Sequence, residues 1–176
     1  MQQNTILIFF ISAIALVGGI FAQTQLNQPT SDKAQQEIII PALEFNLPDV
    51  TGKQRSISEW QGKIRIINFW ATWCPPCLKE IPDFIKLQSE FNDRNLQFIG
   101  IAIEEKQAVE EYLKTIPINY PMLIGGDDAI ELSQQLGNIV NAVPFTLIVN
   151  KQGQIIHRHP GELSREKIIE LITPLF

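Results

Sequence analysis

Asn68-Phe69-Trp70-Ala71-Thr72-Trp73-Cys74-Pro75-Pro76-Cys77 holds both cysteines of a 176-residue chain. The stretch begins inside an apolar run, residues 64–71, which reads as a buried strand. It ends on two prolines suited to the first turn of a helix, where a missing N–H costs little. A cysteine pair at this spacing, set where a strand hands over to a helix, is what a dithiol needs to cycle with a disulfide. With the helix starting at Pro75, Cys74 lies at its N-terminus, where unpaired N–H groups and the helix dipole favour a thiolate. Cys74 is the candidate nucleophile. Cys77, three residues on and a turn deeper, is the candidate resolving thiol, placed to attack a mixed disulfide at Cys74. Pro75 and Pro76 also remove two N–H donors that could face the Cys74 sulfur, which biases the pair toward a reductant.

Other uses of two cysteines fit less well. A structural zinc site wants four ligands, and the chain adds only His157 and His159, alternating on one short strand without finger spacing. No metal and no cofactor are expected. A static disulfide here would close too short a loop to restrict the unfolded chain much.

At 45% hydrophobic residues the chain is long enough to bury one core, and nothing in it points to a second globular domain. A formal net charge of -5 and the lack of a basic run argue against nucleic acid and anionic lipid as partners. Residues 1–22 read as a signal anchor or signal peptide: positions 5–22 carry no charge and are rich in Ile, Leu, Val and Phe. Both forms imply export. Ile20-Phe21-Ala22 is an imperfect cleavage site and no Lys or Arg precedes the segment, so an anchor is favoured over a cleaved peptide. The polar residues 23–37 read as a flexible linker. The globular domain is expected over 38–176.

Within that domain strands and helices alternate. A short strand is expected at 43–47, and Ser56-Ile57-Ser58-Glu59 has capping-box spacing for a brief helical turn ending near Gly62. A helix is expected over 75–90, kinked at Pro82, followed by a strand at 97–103. Helices at 106–115 and 128–136 flank a short apolar piece at 121–124. Strands at 146–149 and 155–159 enclose the turn Asn150-Lys151-Gln152-Gly153. Ser164 caps the last helix and Pro174 ends it. The alternation predicts an α/β fold, a sheet with helices on its faces.

The opening stretch, with Glu80-Ile81-Pro82, Ala142-Val143-Pro144 before the hairpin and Gly161 after it, resembles the thioredoxin-fold proteins of the bacterial TlpA, ResA and DsbE type. The resemblance covers residues 38–176. It implies a thioredoxin fold, a central mixed β-sheet flanked by helices, with a βα insertion around 119–137. It implies a membrane-tethered or exported thiol-disulfide oxidoreductase whose dithiol reduces disulfide-bearing clients, cytochrome c maturation being the best-known use. Pro144 matches the family's cis-proline opposite the dithiol, which would hold Val143 extended beside Cys74 for a substrate backbone. Glu80 lies three residues past Cys77 and projects beside it on a helix, so it is a candidate for proton exchange with the thiols. Composition alone would make it a solvated carboxylate; the family position reverses that. Asn68 stands where thioredoxins carry a buried aspartate and cannot exchange a proton. Trp70 and Trp73 flank the pair and offer apolar surface to a substrate, although packing is the commoner task of tryptophan. Phe145 departs from the smaller or polar residue usual after the cis-proline.

Three classes are therefore compared. A dithiol reductase, expected to be monomeric, at the bacterial inner membrane facing the periplasm or soluble there if cleaved, leads. A copper chaperone using Cys74, Cys77 and a histidine is the alternative, weakened by the presence of only two methionines. An inert structural module would not need a proline-flanked pair at a helix start. A dithiol kept reduced in an oxidising compartment also requires a membrane-borne electron donor.

Overall fold

A computed structural model describes residues 43–176. The segment read as anchor and the 23–37 linker lie outside the described residues. The central sheet has five strands in the order β5-β4-β3-β6-β7: Met122–Ile124, Leu96–Ala102, Ile64–Trp70, Phe145–Val149 and Ile155–Pro160. β3, β4 and β5 run parallel, β6 is antiparallel to β3, and β7 is antiparallel to β6, so the sheet is mixed. Helix α1 is Pro75–Phe91, α2 Lys106–Leu113, α3 Gly126–Gln135 and α4 Arg165–Ile172. This is the expected thioredoxin arrangement, and β5 with α3 forms the βα unit expected around 119–137.

Two-residue alternation sorts the central strands onto two cores. Ile64, Ile66 and Trp70 of β3, Leu96, Phe98 and Ala102 of β4, and Ile148 of β6 join Cys74, Cys77, Ile81 and Phe84 on one face. Ile67 and Phe69, Ile99 and Ile101, and Phe145, Leu147 and Val149 fill the other. The register places Gly100, Asn68, Thr146 and His159 in one row across four strands. A small residue and three polar ones thus interrupt the apolar face beneath α1. At Gly100 even a Cβ would clash with Met122 Sδ.

The ends of elements differ from expectation in instructive ways. The first strand, β1, is Asn46–Pro48 rather than 43–47, because it is set by pairing with β2, Gln54–Ser56. The turn between them is organised by Asp49, whose Oδ1 accepts from the N–H groups of Thr51 and Lys53. The capping box is present as read: Ser56 accepts from the Ser58 N–H and Glu59 accepts from the Ser56 N–H, starting a 3-10 turn over Ile57–Trp60. α1 runs through Pro82 as one 17-residue element. Ser164 caps α4 by accepting from the Lys167 N–H, and a 3-10 turn, Thr173–Leu175, follows it.

Candidate active site

Cys74 is the N-cap of α1, in extended conformation, and its sulfur is bonded to that of Cys77 with an S–S distance of 2.09 Å. An N-cap side chain accepts from the second or third helical N–H. Pro76 occupies the second position and offers none, so Cys77 N–H, 3.3 Å from the Cys74 sulfur, is the donor that remains. The Cys74 sulfur also lies 3.6 Å from the carbonyl oxygen of Val143, and the Val143–Pro144 bond is cis. Cys74, Val143 and Pro144 are therefore brought together as expected, although they are far apart in sequence. Cys77 is fully buried behind Cys74.

Glu80 is only 3% exposed, so the solvated helix carboxylate that composition favours is not what forms. Its Oε1 accepts from Asn68 Nδ2 at 2.7 Å and its Oε2 from the Leu163 N–H at 3.0 Å. Asn68 Nδ2 also donates to Thr146 Oγ1 at 3.0 Å. Burial pushes the carboxyl up from its ordinary 4.5 to about 7; the two donors oppose this and the nearby Glu162 charge adds to it. A carboxyl in that range exchanges protons near neutrality. Tyr120, buried on the same face, has its hydroxyl pushed up by desolvation and then by the Glu80 charge.

The tryptophans part company. Trp70 is fully buried and packs against Tyr112, so it offers no surface to a substrate. Trp70, the last residue of β3, points into the core, whereas Trp73, in the loop that follows, is 64% exposed beside Cys74. His157 and His159 stack on each other on β7. Among the described residues, no three His, Cys, Asp or Glu side chains gather to hold a metal ion.

Three sets of supporting contacts escaped the sequence. Thr146 holds Asn68, and its signal was a lone hydroxyl in an otherwise apolar strand. Glu104, two residues past β4, accepts from both the N–H and the hydroxyl of Thr72 and so fixes the loop before Cys74. The turn after β7 joins the parts: Gly161 N–H donates to the Pro144 carbonyl at 2.8 Å, Leu163 N–H to Glu80, and Glu162 pairs with Lys79 at 2.6 Å. Neither contact of the last two could be read from local pattern, because each joins segments far apart in the chain.

The model of the AhpC/TSA family matches residues 39–158. The chain belongs to the AhpC/TSA family. It is 27% identical over 168 residues to the thiol-disulfide oxidoreductase ResA of Halalkalibacterium halodurans, covering 93% of both chains. It is 28% identical over 137 residues to ResA of Bacillus subtilis, covering 76% of this chain and 74% of that one. The thioredoxin-family thiol:disulfide interchange protein of Chlorobium tepidum superposes with a TM-score of 0.69 at 31% identity, over 77% of this chain and 94% of the other. Family, fold and a cysteine pair at bonding distance agree on one chemistry, thiol-disulfide oxidoreduction.

Proposed function

We propose that this protein is an exported, membrane-anchored reductase of client disulfides, with Cys74 as nucleophile, Cys77 as resolving thiol and Glu80 as proton carrier. The observation that carries the direction of electron flow is the single N–H on the Cys74 sulfur. A dithiol whose thiolate is weakly stabilised gives up its electrons readily, whereas a strongly stabilised thiolate makes an oxidant.

The steps balance as follows. The Cys74 thiolate attacks one sulfur of the client disulfide; a Cys74–client bond forms, the client S–S bond breaks, and the second client sulfur leaves as a thiolate. Cys77 passes its proton to the Glu80 carboxylate and attacks the Cys74 sulfur. The Cys74–Cys77 bond forms, and the remaining client sulfur leaves and takes up the proton from Glu80. Two electrons have moved from the dithiol to the client. During the exchange Val143 offers its backbone to an extended client segment as an added strand, and Trp73 covers one side. A membrane-borne thiol donor restores the dithiol. Apocytochrome c before haem attachment is the client class that the resemblance favours, and residues 5–22 would hold the domain at the periplasmic face of the inner membrane.

Two measurements test this. Cys77→Ala should accumulate mixed disulfides through Cys74, while Cys74→Ala should abolish both trapping and turnover. Thiol trapping in intact cells should find the pair largely reduced; a pair fully oxidised at steady state would mark an oxidant instead.

A further inference from the structure

Four large hydrophobic side chains are exposed among the described residues, and Trp73, Ile139 and Val140 are three of them. Ile139 is 92% exposed and Val140 63%. Single exposed apolar residues are ordinary. This adjacent pair differs because the chain is built to hold it out. Asn138, only 2% exposed, donates its N–H to the Ser133 carbonyl at 2.9 Å. Its Nδ2 donates to the Ala142 carbonyl at 2.9 Å, and its Oδ1 accepts from the Ala142 N–H at 3.2 Å. Asn141 donates back to the Asn138 carbonyl at 3.1 Å from a left-handed φ of 49°. One buried amide therefore ties both ends of residues 138–142, and the two apolar side chains between them are kept from folding onto the core.

The loop runs straight into the site. Ala142 precedes Val143, whose carbonyl oxygen is 3.6 Å from the Cys74 sulfur. With Cα atoms about 3.8 Å apart along the chain, Val140 lies at most about 11 Å from Val143. Trp73 adjoins Cys74 in sequence.

We infer that Ile139 and Val140 form an apolar lip that selects client segments carrying an apolar side chain within about three or four residues of the disulfide cysteine. An extended segment rises about 3.3 Å per residue, so a client pairing with Val143 reaches the lip over that span. The inference rests on the reductase reading, since it seats the client sulfur at Cys74. A polypeptide is favoured over a lipid surface because the lip precedes by three residues the Val143 backbone that faces Cys74, and because a chain of net charge -5 without a basic run is not drawn to anionic headgroups.

The test uses the purified full-length protein and two nine-residue peptides differing only in whether the cysteine is flanked by Leu and Phe or by Ser. Each is made as a mixed disulfide with glutathione for turnover, and with Ser in place of Cys for binding by fluorescence anisotropy. The wild-type protein should prefer the apolar peptide about tenfold in kcat/KM and in Kd. The double substitution I139S/V140S, on an exposed loop, should bring both ratios close to one. Ratios unchanged by the double substitution would overturn the lip. The same unchanged ratios, accompanied by loss of binding to phosphatidylcholine vesicles or of self-association in sedimentation, would overturn it and give the lip to a membrane or to a second copy. Should the wild-type protein reduce neither peptide while the Kd ratio still collapses in the variant, the reductase reading fails and the lip stands.

Discussion

At Cys74, the proposed redox bias rests on the N–H groups that Pro75 and Pro76 lack. Restoring the second helical donor with Pro76→Ala should stabilise the Cys74 thiolate, lower its pKa and make the pair more oxidising, by on the order of 30–65 mV for one charge-assisted hydrogen bond. Equilibration with a thiol buffer reads the potential, and a fall would contradict the account. Glu80 gives a second prediction. Its folded pKa is raised, so the stability it contributes is present below its unfolded value near 4.5 and is lost as pH rises through about 7. The oxidised protein should lose on the order of 3 kcal/mol at most between pH 4.5 and 8 from this group. His157, held below its ordinary value first by desolvation and then by His159, works in the opposite direction. The comparison is therefore between wild type and Glu80→Gln in urea at several pH values. The variant should lack the downward component, and parallel curves would remove Glu80 from the buried titrating group.

Among the elements, those with a local cause were legible. The capping box at Ser56, the cap at Ser164 and the buried β3 all follow from residues close in sequence, and so does Cys74 at the start of α1. β1 was misplaced because its bounds depend on β2 and the Asp49 turn. Ile139 and Val140 resemble core residues by type, and their exposure goes with the hydrogen bonds of Asn138, which join segments the pattern of the chain does not pair. The burial of Glu80 needed the turn after β7, which no periodicity in α1 announces. That turn makes the cap of α4 a test of the site as well as of the helix. Ser164→Ala removes a helix-capping acceptor one residue from the Leu163 N–H that binds Glu80. It should cost about 1 kcal/mol in urea unfolding, and the loosened turn should shift the pH profile of thiol reactivity. Lost stability with an unmoved profile would mean that the turn holds Glu80 independently of the helix.

On the proposed function, the placement of the apolar segment 5–22 decides the electron supply of the redox domain. In an oxidising compartment the surroundings favour the disulfide, so a working reductase must remain near a donor. Residues 5–22 are long enough to hold a chain at a bilayer. Among the described residues no helix is long and apolar enough to cross a membrane. The full-length protein should fractionate with the inner membrane, and protease added to spheroplasts should digest the domain from the periplasmic side. A variant in which residues 1–22 are replaced by a cleavable signal peptide should be soluble in the periplasm, fold to the same oxidised structure and show a larger oxidised fraction of Cys74 and Cys77. An equally reduced pair in the released domain would show that electrons reach it through a soluble donor, and would detach the anchor from the chemistry.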